Sequence, residues 1–222
     1  MVYNNPPIAS GRRQSLKIGT GKRALTARLS ERVREQPRPR DLHFLFAPLK
    51  HARLDYLVQK AVEMGASRLQ PVITRHTQVA RVNLERMRAN AIEAAQQCGI
   101  LALPEVAEPV AFKTIAGSID TGRLLVFCDE DAEVKDPLAA LKAARPSAQA
   151  LLPAEAARAP LPLAVLIGPE GGFAADERAA LRQRPNVVRI SLGPRILRAD
   201  TAAVAALALV QAVLGDWCDD SD

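Results

Sequence analysis

Two glycine-proline turns, each following a short apolar run, mark where this sequence can do chemistry. The first lies in LAVLIGPEGGF at residues 163–173 and the second in VVRISLGPRILRADTA at 187–202. Gly168, Gly171 and Gly172 allow close backbone approach and positive φ, so the N–H and C=O groups of that loop can bond a base edge or ribose hydroxyls. Phosphate suits the loop poorly. No Lys-Ser or Lys-Thr follows the glycines, there is no GxGxxG, and Glu170 places a negative charge within the turn. A neutral or cationic guest fits better. The second turn adds Arg195 and Arg198, three residues apart, whose guanidinium groups can hold a polar acceptor. Surface pairing with phosphate or carboxylate is the other reading of these arginines. GPEGG alone reads more readily as a purely structural turn, and the second loop is what turns the reading toward a ligand.

S-adenosylmethionine meets these requirements, because its sulfonium is cationic and its adenosine can lie between aliphatic residues such as Ile167, Leu192, Ile196 and Leu197. Two such loops reach one ligand only if a scaffold aims them together. Apolar runs at 42–48, 68–75, 124–128, 163–167 and 187–192 read as strands. Helical spacing of Leu54, Leu57, Val58 and Ala61, and of Leu84, Met87 and Ile92, reads as two helices ending at Gly65 and Gly99, with Asn83 a plausible cap of the second. Further helices are expected at 175–184 and about 200–214. The alternation predicts an α/β fold, a mostly parallel sheet with helices on both faces. In such sheets ligands bind beyond the carboxyl ends of the strands, where both turns should emerge. The Ala- and Pro-rich stretch 132–162 reads as a surface connection with one short helix near 138–144. TAAVAALALVQAVL is apolar on every face, so the last helix is buried within the fold or against another subunit.

Charge divides unevenly. Residues 1–40 hold ten Lys or Arg against Glu31 and Glu35, leaving 20 of the 30 basic and 22 of the 24 acidic residues for a nearly neutral body. That basic arm, with Arg12, Arg13, Lys22 and Arg23, suits a phosphate backbone, and a merely solubilising arm is the other reading. Aromatic residues make up only 4%, so no base-stacking surface is evident. Cys98, Cys128 and Cys218 are scattered, and His43, His51 and His76 lack ligand spacing, so no metal site is expected. The N-terminus has no secretory signal, and the longest apolar stretch, 202–210, is half a membrane span. The expected protein is soluble and cytoplasmic, with no membrane partner.

LIGPEGGF at 166–173, SLGPRILRADTA at 191–202, LVQKAVEMGA at 57–66 and AAQQCG at 94–99 together resemble the SPOUT-class, or trefoil-knot, methyltransferases. Within that class the resemblance is to the RsmE family, which methylates N3 of a uridine in small-subunit ribosomal RNA. It covers about residues 41–215. It implies a C-terminal trefoil knot, which general folding rules would exclude, and a homodimer with the cofactor site at its interface. It further implies S-adenosylmethionine held by Phe127, Leu166, Ile167, Gly168, Glu170, Gly171 and Gly172 of one segment and Ser191, Leu192, Gly193, Ile196 and Leu197 of the other. Arg198, in the family's LR motif, would be catalytic, and Arg195 would join the basic arm in binding RNA, free or in the assembled small subunit.

Family members begin with a PUA-like barrel. Residues 1–40 are too few to close one, so they are expected to be a basic remnant of it, with a last strand at 24–35, and 41–222 to be the SPOUT domain. Two further departures stand out. Gln96-Gln97-Cys98-Gly99-Ile100 replaces the usual EQ-x-GR, and Asp200 replaces a glutamate and is expected to cap the last helix. The alternative to an active enzyme is a truncated RNA-binding remnant of the same fold. A nucleotide-dependent dehydrogenase does not suit the loop chemistry.

Overall fold

The computed structural model describes residues 15–20, 23–28, 34–36, 38–79, 81–133, 136–153 and 159–217. Arg12, Arg13, Lys22 and Cys218 lie outside the described residues, as does the side chain of Arg23. In the basic segment, β1 (Ser15–Thr20) and β2 (Arg23–Arg28) form an antiparallel hairpin with Ser15 opposite Arg28 and Thr20 opposite Arg23. The strand expected at 24–35 thus corresponds to β2, which ends at Arg28; residues 29–33 lie outside the description.

The body runs β3 (Leu42–Phe46), α1 (His51–Glu63), β4 (Arg68–Ile73), α2 (Leu84–Gln97), β5 (Glu105–Val106), β6 (Val110–Ala111), α3 (Phe112–Ser118) and β7 (Leu124–Cys128). It continues with α4 (Pro137–Gln149), β8 (Leu163–Ile167), α5 (Ala175–Arg182), β9 (Val187–Ile190) and α6 (Ala199–Val213). Seven strands form one parallel sheet ordered β5-β4-β3-β8-β7-β9, with β6 also pairing β4. Asn83 caps α2 as its side chain predicts, accepting a bond from the Arg86 N–H at 3.0 Å. Gly65 and Gly99, at φ 81° and 64°, follow α1 and α2 in the left-handed conformation that satisfies terminal carbonyls.

Central strands bury both faces, and their alternating side chains feed two separate cores. Leu163, Val165 and Ile167 of β8 join Phe44, Phe46 and Val126 under α1, α2, α4 and α6. Ala164 and Leu166 face the other way, with Leu125 and Phe127, into a smaller core closed by Phe112, Phe173 and Leu181 from the α3 and α5 side. Helices therefore cover both faces, as expected.

Three expectations need correction. The 132–162 stretch is not simply a surface connection: α4 is thirteen residues long, buries Leu141 and Ala148, and packs on α6 and β9. Asp136 starts it by accepting from the N–H groups of Leu138 and Ala139, and Pro137 occupies the first turn, where a missing N–H costs nothing. Pro146 lies inside the helix, and the prolines read as coil in the sequence for that reason. Secondly, α6 buries Ala199, Ala203, Ala206, Leu207, Val210 and Gln211 against α1, α4 and β8, while Val204, Ala205 and Ala208 remain half-buried. Its core face thus lies within the fold. Lastly, Asp200 is not the cap of α6, because Arg198 holds the N-cap position. Among the described residues no helix is long and apolar enough to cross a membrane.

Candidate active site

A cavity of about 540 Å³ opens at the carboxyl ends of β7, β8 and β9, where an open parallel sheet places ligands. The first loop lines it with Ile167, Gly168, Glu170, Gly171 and Gly172. The second contributes Ser191, Leu192, Gly193, Ile196 and Leu197, with Arg195 beside them. The two turns do face one space. Phe127 and Leu166, expected at the cofactor, do not line it: both are fully buried in the α5-side core, where Phe127 meets the Phe173 ring edge-on at 4.8 Å. Strand alternation sends them to the far face while Ile167 and Cys128 point toward the cavity side. Arg198 is exposed at the N-cap of α6, between the lining residues Leu197 and Ala199, with no ion pair among the described residues.

Several residues that shape the site carry no sequence signature. Arg53, in the first turn of α1, bridges the two loops. Its Nε and Nη2 donate to Asp200 at 3.0 and 3.2 Å, and its Nη1 donates to Glu170 at 2.7 Å. Arg53's hydrogen bond is the main reason the Asp200 carboxyl is held below its ordinary value. The charge on Glu170 is therefore met by a guanidinium and is not bare within the turn. His76, just beyond β4, places Nδ1 3.0 Å from the Gly171 carbonyl and 3.2 Å from that of Gly172. Next to it the Arg75 N–H donates to Glu177, which also accepts from the Ala174 N–H and so fixes the start of α5. His76 has only its place just after β4 as a signal, and Arg53, inside α1, has none.

The floor is built around Asp129, which follows β7 and is 1% exposed. Its carboxylate accepts from Arg178 Nε at 3.0 Å and Arg189 Nη2 at 2.6 Å. Burial raises the Asp129 pKa, but the bonds from Arg189 and Arg178 prevail and leave it below 3.8. Asp129, Glu130 and Asp131 hold carboxylate oxygens within 4.8 Å of one another. Arg178 contacts all three, at 3.0, 2.6 and 3.2 Å, so their charge is already balanced by guanidinium. Burial pushes the neighbouring Cys128 thiol up to about 12, which leaves it an unreactive wall.

A folded-state pKa below the unfolded one means that Asp129 stabilises fully above the ordinary carboxylate range. That contribution is lost as pH falls from about 4 through the depressed value. Removing the carboxylate strands two guanidinium groups: Asp129→Ala is expected to cost about 3–5 kcal/mol. Urea denaturation at neutral pH checks the loss, and the difference between variant and wild type should narrow on acidification.

The residues missing from the usual EQ-x-GR lie elsewhere. Gly99 and Ile100 border a cavity at the opposite, amino edge of the sheet, with Arg34 donating to the Gly99 carbonyl at 2.7 Å. None of the residues 96–100 lines the carboxyl-edge cavity.

The family described as RNA methyltransferase domain matches residues 36–211 of this chain. Ribosomal RNA small subunit methyltransferase E of Rickettsia conorii is 28% identical over 200 residues, covering 90% of this chain and 75% of the relative. Its namesake from Synechocystis is 32% identical over 198 residues, covering 85% of this chain but only 59% of the relative. Among solved structures, a Legionella pneumophila protein in complex with the bound cofactor SAM superposes with a TM-score of 0.61 at 26% identity, covering 90% of this chain and 83% of that one. The family match spans most of the chain and contains both turns of the cavity, so the chain belongs to the RNA methyltransferase domain family, among relatives that bear the name ribosomal RNA small subunit methyltransferase E.

Proposed function

We propose that this protein transfers the methyl group of S-adenosylmethionine to N3 of a uridine in small-subunit ribosomal RNA. The observation that carries the reading is the convergence of both glycine-proline turns on one cavity. Its volume of about 540 Å³ lies in the range of pockets that enclose a ligand of this size. The walls suit the cofactor. Gly168 sits where a Cβ would fall 2.6 Å from the Phe173 ring, so only glycine lets the loop pack against that ring while it lines the cavity. Gly193 holds φ 104° with open space around it, and Ile196 is 96% exposed, an aliphatic surface awaiting cover. The Legionella structure holds SAM.

S-adenosylmethionine would supply an electrophilic methyl carbon. The chain's task is to orient the base and to carry the charge that develops on it. Uracil N3 bears a proton in neutral solution, so attack requires that proton to pass to solvent water; negative charge then spreads to O2 and O4, the N3–CH3 bond forms as the S–CH3 bond breaks, and the neutral thioether S-adenosylhomocysteine leaves. Arg198, exposed at the mouth and without an ion pair among the described residues, is the proposed group that stabilises it. Arg195 would hold the flanking phosphate. The cavity's walls would add orientation by fixing both reactants.

Two larger features belong to the same proposal. β9 lies outside β7, yet α6 returns to pack on α1 and β8, so residues 191–198 cross over the carboxyl ends of the sheet. That path supports the trefoil knot. Exposed Ile196 and the half-buried Val204, Ala205 and Ala208 support a homodimer closing over the site. The basic hairpin would take part in capturing RNA, and the cytoplasm is where such a substrate is met.

Arg53 should register the two loops. Arg53→Ala is expected to raise KM for S-adenosylmethionine about threefold to tenfold, with kcat changing less, as suits an ion-paired bridge that is partly exposed. Initial-rate kinetics check this, with Arg53→Lys recovering part of the loss. The proposal as a whole is tested by incubating the protein with methyl-labelled S-adenosylmethionine and small ribosomal subunits, then digesting the RNA to nucleosides. Label in 3-methyluridine supports it. Tight binding of cofactor and RNA without transfer would favour an inactive RNA-binding protein of the same fold instead.

A further inference from the structure

The nearly neutral body hides an uneven arrangement of charge along the carboxyl edge. Beside the main cavity, on the other side of the first turn of α1, lies a cleft of about 140 Å³. Lys50, Arg81 and Arg86 bring cations to it, and Asp55 is its one carboxylate. Arg86 and Asp55 neutralise each other, with Arg86 Nε 2.9 Å from Asp55 Oδ1. Lys50 and Arg81 are exposed and have no ion pair among the described residues. In the main cavity the carboxylates Asp129, Glu130 and Glu170 are all ion-paired, with Arg178, Arg189 and Arg53 shared among them and their neighbours, whereas Arg195 is exposed with no ion pair among the described residues. The unpaired charged side chains lining both spaces are therefore cationic.

Two chain segments join the spaces. Lys50 is the N-cap of α1, and Arg53, three residues on, reaches Glu170 in the main cavity. His76 bonds the Gly171 and Gly172 carbonyls, and Val79, three residues on, already lines the cleft, as does Arg81. Exposed cations thus stand in both spaces, Arg195 in the main cavity and Lys50 and Arg81 in the cleft. Leu49, Leu54 and Val79 give the cleft an apolar floor.

We infer that Lys50 and Arg81 form a phosphate track that holds the RNA backbone beside the nucleotide entering the main cavity. Resting on the proposed RNA methyl transfer, it extends RNA capture from the basic hairpin to the catalytic body. Neutralising two phosphates adds to affinity and to its salt dependence without selecting sequence.

The test uses the full chain with Lys50→Ala and Arg81→Ala combined, titrated by fluorescence anisotropy against a labelled single-stranded rRNA fragment over a salt series. Two lost phosphate contacts should flatten the log-log salt slope by about 1.4. Methyl transfer should show a higher KM for RNA with kcat at saturation retained, and calorimetry should show S-adenosylmethionine affinity unchanged. Lys142→Ala with Arg145→Ala, on exposed positions of α4, removes the same charge elsewhere and should leave the slope as it is. An unaltered slope in the Lys50 and Arg81 variant, or an equal change in the α4 control, overturns the track while leaving methyl transfer standing. Absence of both RNA binding and methyl transfer in the wild type overturns the proposed function and the track together.

Discussion

Replacing Arg198 with alanine is expected to lower kcat for methyl transfer by about 100- to 1000-fold, the range for losing a donor to a developing oxyanion. The affinity for S-adenosylmethionine should not change. That split follows from position. Arg198 caps α6 from outside the set of residues lining the cavity, and its neighbours Leu197 and Ala199 are the ones that line it. A group that acts on the base and not on the cofactor lowers kcat and kcat/KM for RNA together. Arg198→Lys keeps the charge but loses the planar fork, so it should recover only part of the rate. Single-turnover measurements with the cofactor saturating would check both variants. A normal rate in Arg198→Ala would remove this arginine from the mechanism.

The second large effect should come from Gly168. A Cβ here would meet Phe173 Cε2 at 2.6 Å, and that ring cannot swing away, because it is 2% exposed and wedged against Phe127 and Phe112. In Gly168→Ala the loop itself must therefore move. Overpacking of this kind costs about 1–3 kcal/mol. If the loop relieves the clash by shifting, cofactor binding has to restore it, and the same energy reappears as about 10- to 100-fold weaker binding. Calorimetric titration reads this directly. Gly193 makes a useful contrast. Nothing lies within 4 Å of its would-be Cβ, so Gly193→Ala tests only the φ of 104°.

The sheet and its main helices were legible because their signals are local. Asn83 caps where a cap was expected, Gly65 and Gly99 end helices, and β7 occupies the expected residues 124–128. The pairing of two glycine turns was legible too, since both follow apolar parallel strands. What escaped depended on contacts distant in sequence. Arg53 lies 117 residues from Glu170 and 147 from Asp200, and nothing in a surface-looking HARLDY marks it as a bridge. His76 reaches carbonyls 95 and 96 residues away. The helix expected near 138–144 is present in α4 but longer and partly buried: its prolines count against a helix locally, while the burial of Leu141 and Ala148 on neighbouring elements outweighs them. The resemblance implies Phe127 and Leu166 at the cofactor, but their side chains lie in the α5-side core. In a strand, adjacent side chains face opposite ways, and one residue decides between site and core.

The account turns on whether the two glycine-proline turns enclose the cofactor. The most direct measurement is a set of nuclear Overhauser contacts between bound S-adenosylmethionine and methyl-labelled Ile and Leu side chains. Contacts from the adenosine to Ile167, Leu192, Ile196 and Leu197 are expected, with none to the core methyls of Leu166. Contacts confined to other residues, such as Leu101 in the amino-edge cavity, would contradict the account.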